Sequence, residues 1–371
     1  MKIAFTEEHE QWRKSVRSFM EQKSPEKEVR RLMGTIDGFD IDVWKQMADQ
    51  LGVQALTIPE EYGGSGFGLV ELGIVFEEMG RILMCAPLFS TAVLATGALL
   101  ASADEGAKKT YLPSLASGET IATLAVTEGV GRWEEQAIST RATSRGDHWL
   151  LNGVKTFVVD GHLAKLVLVA ARSAAGVSLF AVDAEASGLS VTPMDTLDQT
   201  RKLSEVRLED VPARLVGSEG KAWPAIAHVL NLAAVALAAE SAGGAQHCLE
   251  MSVSYAKIRK QFGRVIGSFQ AIKHKCADML LEVESAKSAA YYAMWAADEE
   301  AAELPVAASL AKAFCTEAYF HVAAETIQIH GGIGFTWEHS AHLYFKRAKS
   351  VELLFGDPTF HRELMAQRLG V

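Results

Sequence analysis

From residue 225 to residue 304 the chain contains no proline and is dominated by alanine, leucine and glutamate. A run that long without a helix breaker restricts this part of the molecule to long helices. Trp223-Pro224 opens the first of them, proline being favoured in a helix's first turn, and the helix is predicted to end near Arg259. Residues 268–297 and 305–329 supply two more, and residues 336–351 and 358–369 two shorter ones separated at Gly356. Several long helices with short links make an antiparallel bundle.

The preceding stretch has the opposite texture. Between residues 119 and 221 short β-rich runs alternate with Gly, Asp and Pro: Leu166-Val-Leu-Val-Ala170, Val177-Ser-Leu-Phe-Ala-Val182 and Leu203-Ser-Glu-Val-Arg-Leu208. Within Trp149-Leu-Leu-Asn-Gly-Val-Lys-Thr-Phe-Val-Val159 the Asn-Gly pair between strand-like flanks predicts a hairpin turn. This is a small β-domain, barrel or sandwich. Before it the chain reads helical. Thr6-Glu-Glu-His9 looks like an N-cap with acidic residues in the first turn, Trp12, Val16 and Phe19 recur at helical spacing, and residues 39–51 and 69–100 are further helical runs. The glycine-rich residues 58–68 lack the preceding strand and following Lys-Ser/Thr of a phosphate loop. The fold expected is therefore α+β: an N-terminal helical domain over residues 1–118, a central small β-barrel or sandwich domain over 119–222, and a C-terminal antiparallel helical bundle over 223–371.

Length and charge narrow the function. At 371 residues the chain can build two or three cores, and a net charge of -10 without a basic cluster excludes a nucleic-acid partner. Cys85, Cys248, Cys276 and Cys315 are far apart and make no ligand spacing, so no metal site is expected and the thiols read as reduced residues of a cytoplasmic protein. The apolar stretches at residues 87–101 and 225–239 fall short of the roughly 20 residues that span a bilayer, and no membrane association is expected.

Three C-terminal signatures follow one another: Arg259-Lys-Gln-Phe-Gly-Arg-Val-Ile-Gly-Ser-Phe-Gln270, His330-Gly-Gly-Ile-Gly-Phe335 and Leu353-Leu-Phe-Gly-Asp-Pro-Thr-Phe-His361. Upstream stand Ile58-Pro-Glu-Glu-Tyr-Gly-Gly-Ser-Gly66, Val75-Phe-Glu-Glu-Met-Gly80, Leu112-Pro-Ser-Leu-Ala-Ser-Gly-Glu119 and Ala125-Val-Thr-Glu128. Together they resemble, over essentially the whole length, the acyl-CoA dehydrogenases, FAD enzymes that desaturate acyl-CoA thioesters. The resemblance implies a carboxylate that removes the α-proton while the flavin takes the β-hydride. It also implies an FAD site shared between subunits, the ring on one and the diphosphate reaching an arginine on its neighbour.

The residues that the resemblance assigns to a neighbour's FAD are intact. Arg259 stands where the diphosphate arginine is expected, Gln261 and Phe262 follow in register, and Phe269, Gln270, Gln328, Gly331 and Gly332 match the other segments that line the dinucleotide. An arginine suits a diphosphate through its planar fork of donors. The residues that a subunit uses for its own flavin ring are altered. Thr127 is kept, but Glu128 is followed by Gly-Val-Gly-Arg-Trp133 in place of small polar residues. Phe157-Val-Val159 replaces the Trp and hydroxyl residue that meet the ring, and Phe157 reads equally as ring contact or as core aromatic.

The base is missing from both places the family carries it: the alignment puts Gly356 at one and Ala233 at the other, with Asn231 and Ala234 where charged CoA contacts are expected. Asp357 has two readings, a cap for the helix opened by Pro358 or a displaced base. Three functions follow. The chain is a subunit that completes an FAD site for a second acyl-CoA dehydrogenase subunit, with acyl-CoA as substrate and an electron-transfer flavoprotein as acceptor. Otherwise it is a self-sufficient homo-oligomer using Asp357, or a flavin-free scaffold.

Overall fold

In a computed structural model that describes residues 5–146, 148–299 and 301–371, Thr6 starts the first helix by a reciprocal device. Its hydroxyl accepts the His9 N–H at 3.3 Å, and His9 Nδ1 accepts the Thr6 N–H at 3.1 Å. Helix α1 (Glu7–Lys23) is followed by α2 (Glu26–Met33), α3 (Ile41–Gln46) and α4 (Leu69–Ile82). The apolar run at 69–100 is not one element. Leu83 turns left-handed at φ 54° and Pro87 removes a donor, so helical turns resume only at Phe89 and lead into α5 (Thr96–Ala101) and α6 (Glu105–Ala116).

The contacts sort the chain into two compact units, each discontinuous in sequence. One comprises residues 31–68 and 85–233 and holds the seven described strands of the main sheet. These are β1 (Ala122–Ala125), β2 (Arg141–Arg145), β3 (His148–Val159), β4 (Leu166–Ser173), β5 (Gly176–Asp183), β6 (Leu189–Pro193) and β7 (Leu203–Val216). The ring β4-β2-β3-β7-β5 returns to β4, so the sheet is a barrel, with β1 alongside β4 and β6 alongside β7. Its interior is filled by Leu151, Val167, Val169, Phe180, Val182, Val206 and Leu208, inward residues at the period-two spacing of strands.

The expected Asn-Gly hairpin is not there. β3 runs straight through Asn152 and Gly153, and the pair sits in a bulge opposite β7. Asn152 exchanges two hydrogen bonds with Asp210, donating through Nδ2 at 2.7 Å and accepting its N–H at 3.0 Å. Thr140 leaves no room for a side chain at Gly153. A cross-strand clamp, invisible in a local window, outweighed the turn preference.

The second unit comprises residues up to 30, 69–84 and 234–371. Helix α7 (Trp223–Ile258) starts in the barrel unit and continues here, followed by the hairpin strands β8 (Lys260–Gln261) and β9 (Arg264–Val265). α8 (Gln270–Asp298), α9 (Leu304–His330), α10 (Ala341–Leu353) and α11 (Pro358–Leu369) complete the bundle. Small residues set its spacing: a side chain on Gly80 would run into the backbone of Glu240, and one on Gly243 into that of Glu77, so α4 and α7 touch backbone to backbone. Among the described helices only α7 is long and apolar enough to cross a membrane, with mean hydropathy 1.5, and 72% of its apolar window is buried within the protein.

Candidate functional site

The first group of predicted residues lies in the helical unit, where α7 gives way to a two-residue hairpin. Lys260 pairs with Val265 and Gln261 with Arg264, leaving Phe262 and Gly263 at the turn with φ of 52° and 75°. Positive φ at both positions matches the twist of a tight hairpin, but only glycine adopts it freely. Phe262 holds it under strain while 92% exposed, edge-on to Phe269 at 6.1 Å. The Arg264 guanidinium lies 4.1 Å over the Phe269 ring. Arg259, at the base of the hairpin, is fixed through its backbone: its N–H donates to Tyr255 O and its carbonyl accepts the Ile266 N–H at 2.8 Å. Its guanidinium is exposed and pairs with no carboxylate among the described residues.

Gln270 is exposed at the first position of α8, whose N-cap residue Phe269 provides no side-chain cap. The first N–H groups of that helix therefore remain open to an anion. Gln328 is exposed in the last turn of α9. Gly331 ends α9 at φ 64°, and at both Gly331 and Gly332 a side chain would project into open space. Packing within the chain does not explain Gly332. Underneath, buried His330 bonds Thr326 O at 2.7 Å and stacks on Tyr255 at 4.3 Å, tying the end of α9 to the end of α7.

The second group lies in the barrel unit. Thr127 is buried, and its hydroxyl accepts the Trp133 indole N–H at 3.2 Å. Glu128 forms a salt bridge with fully buried Lys155 at 2.6 Å and accepts N–H bonds from Ser139 at 2.9 Å and Thr140 at 3.0 Å. Burial pushes the Glu128 carboxyl up, but Lys155 and these donors outweigh it and hold it at about 2. Phe157 sits in a bulge of β3 at φ 54° and is about a third exposed. Val159 is buried and offers only its carbonyl, which accepts from Thr123 Oγ1 at 2.7 Å.

The positions where a base is expected are closed. Ala233 is fully buried in α7. Gly356 takes φ 108°, and a side chain there would meet the Phe360 ring and come within 3.0 Å of His361 Nε2. Asp357 caps α11, its Oδ1 accepting the Phe360 N–H at 2.7 Å. Glu240 is in a buried ion pair with Arg347 at 2.7 Å, which makes it a packing element.

Two side chains that sequence reading passed over define this corner. Lys312 of α9 is fully buried and donates to Glu352 O at 3.1 Å and Gly356 O at 2.9 Å. Burial lowers its ammonium to about 7, against the opposing pull of Glu352 and Asp357. His361 contacts Phe355 O at 3.0 Å, and burial lowers its imidazole to about 3. A lysine inside the apolar run Ser309-Leu-Ala-Lys-Ala-Phe314 was the available signal.

Comparison with known proteins places three family descriptions on the chain. The acyl-CoA dehydrogenase N-terminal domain matches residues 6–119, the middle domain residues 123–211 and the C-terminal domain residues 220–370. Acyl-CoA dehydrogenase IpdE2 of Mycobacterium tuberculosis is 35% identical over 352 residues, covering 95% of this chain and 94% of that protein. Among solved structures, a variant of the Tcur3481-Tcur3483 steroid ACAD superposes with a TM-score of 0.89 at 31% identity, covering 98% of each chain. The ChsE4-ChsE5 complex of Mycobacterium tuberculosis superposes with a TM-score of 0.91 at 28% identity, covering 100% of this chain and 99% of that one.

Proposed function

The chain belongs to the acyl-CoA dehydrogenase family of oxidoreductases, which generally use FAD, and from that premise we propose that it is the subunit that completes an FAD site for a second, catalytic acyl-CoA dehydrogenase subunit. The observation that carries this reading is an asymmetry. The residues assigned to a neighbour's cofactor, Arg259, Gln270, Gln328, Gly331 and Gly332, are exposed and open. Of those assigned to the chain's own ring and base, Thr127 is bonded to Trp133, Gly356 is crowded by Phe360 and His361, and Ala233 is buried in its helix packing, while Phe157 stays about a third exposed. The ChsE4-ChsE5 relative is by its name a complex of two chains, which accords with such a division of labour.

The fit to FAD thus differs between the two halves. On the open half, the Arg259 guanidinium would pair with the diphosphate, the uncapped start of α8 would present N–H groups to it, and Gly331 and Gly332 would let the main chain approach. Phe262, Phe269 and Gln261 belong to the same segment. FAD held there would supply the hydride acceptor for α,β-desaturation of an acyl-CoA, the base and substrate pocket being the partner's and an electron-transfer flavoprotein the acceptor. On the closed half, no residue of this chain is assigned a chemical step.

The rival reading, a self-sufficient enzyme, uses as its base Asp357, a carboxylate whose Oδ1 already accepts the Phe360 N–H. Co-expression with the partner separates the two. Arg259→Ala is expected to strip visible flavin from the pair and lower activity by roughly tenfold or more, a charge-assisted bidentate contact being worth about 1.5–3 kcal/mol. Unchanged flavin retention in that variant, or bleaching of the lone chain by an acyl-CoA, would overturn the proposal.

A further inference from the structure

We infer that Trp133 is a built-in plug that closes this chain's own flavin-ring face, so that the chain serves an FAD site only through its Arg259 side; the inference rests on the reading above. The segment after β1 is bent by two left-handed glycines, Gly129 at φ 56° and Gly131 at φ 87°. It is anchored to β3 by the Thr156 N–H on Thr127 O at 2.9 Å and Thr156 Oγ1 on Gly129 O at 3.1 Å. The bend returns Trp133 to Thr127. Its indole N–H reaches Thr127 Oγ1 at 3.2 Å, and its six-membered ring passes within 3.4 Å of where a side chain on Gly131 would begin. Thr127 is left 4% exposed, while Val130 on the outside of the same bend is 94% exposed.

A planar hydrophobic ring with one N–H donor thus lies where the family resemblance places a planar hydrophobic ring with polar edges. An isoalloxazine group that used Thr127 would have to displace an indole already bonded to it. Thr127 is therefore a kept residue with a changed partner, and Trp133 is a specificity-determining residue that excludes a ligand.

The test uses lumiflavin, the isoalloxazine ring without ribityl, diphosphate or adenosine, titrated calorimetrically into the full chain. This probe reads the Thr127 face alone, whereas loss of flavin from an Arg259→Ala pair reads the other half, so the two ideas fail separately. The parent chain is expected to show no binding. Trp133→Ala is expected to bind lumiflavin at least roughly tenfold more tightly than the parent. Trp133→Phe, which keeps bulk but frees Thr127 Oγ1, should fall between them and control for folding through its unchanged melting curve. Binding by the parent that weakens in Trp133→Ala would make the indole a stacking platform and overturn the inference. So would absence of binding in all three proteins.

Discussion

A side chain at Gly356 meets three obstacles: φ 108°, the Phe360 ring, and His361 Nε2 at 3.0 Å. Left-handed backbone costs a non-glycine residue about 1–2 kcal/mol and overpacking typically about 1–3 more. Gly356→Glu is therefore expected to install no base and to destabilise the protein by about 2–5 kcal/mol, read as a lower urea midpoint at unchanged slope. A variant as stable as the parent would show that this turn yields. Glu128 and Lys155 give a second test at this scale. Glu128→Gln leaves a fully buried ammonium without its counter-ion and should cost about 3–5 kcal/mol, whereas the double variant Glu128→Gln, Lys155→Met should recover much of that loss. Equal losses in single and double variants would mean that the unpaired ammonium is not the source of the cost. Glu128 was legible as a family position; Lys155 was not, because nothing local distinguishes a strand lysine that points inward from one that points out.

At the scale of elements, Asp357 and Lys312 hold the α10–α11 corner from opposite sides. Asp357→Ala should cost about 1 kcal/mol as a lost cap and leave the turnover of the co-expressed pair unchanged. A collapse of turnover with little change in stability would restore Asp357 as a base. Lys312 sets a pH dependence. Burial holds its folded value near 7, while an unfolded lysine titrates near 10.5. Between those values the unfolded chain carries a proton that the folded chain has released, so this group's contribution to stability rises with pH through that window and is lost as pH falls through 7. The neutral amine still donates to both Glu352 O and Gly356 O. The stability of the parent relative to Lys312→Met should therefore grow by about 2 kcal/mol from pH 7 to pH 9, and a flat difference would refute the assignment. The long helices were legible because breaker-free periodicity is a local property: Pro224 and Pro358 start α7 and α11 as the sequence predicts. The Asn152-Gly153 turn was misread because its alternative, the clamp to Asp210, is made by a residue fifty-eight positions away. Barrel closure likewise depends on pairings such as Arg141 with Arg172, which no window of sequence contains.

For the molecule as a whole, the exposed large apolar residues around the open half-site bear on assembly. Ile258 is 75% exposed, Phe262 92%, Phe335 81% and Trp337 61%, and the segments carrying them flank one aromatic cluster of Tyr255, His330 and His339. Burying each such side chain in a partner would contribute about 1.5–3 kcal/mol. Phe262 is the most informative, since it is both the most exposed of the four and held at a strained φ of 52°. Phe262→Gly removes the ring and relaxes that backbone, so folding and assembly should respond in different directions. The lone variant is expected to unfold at the same urea midpoint as the parent or slightly above it, because relief of strain of about 1–2 kcal/mol is set against glycine's entropy of about 0.5–1 kcal/mol. The co-expressed pair, in contrast, should dissociate at least roughly tenfold more readily in sedimentation velocity, equivalent to losing about 1.4 kcal/mol or more. A pair that stays intact with Phe262→Gly would place the partner elsewhere on the surface. A lone variant that unfolds early would make the hairpin a structural element, its exposed phenylalanine serving the fold through Phe269 rather than a second chain.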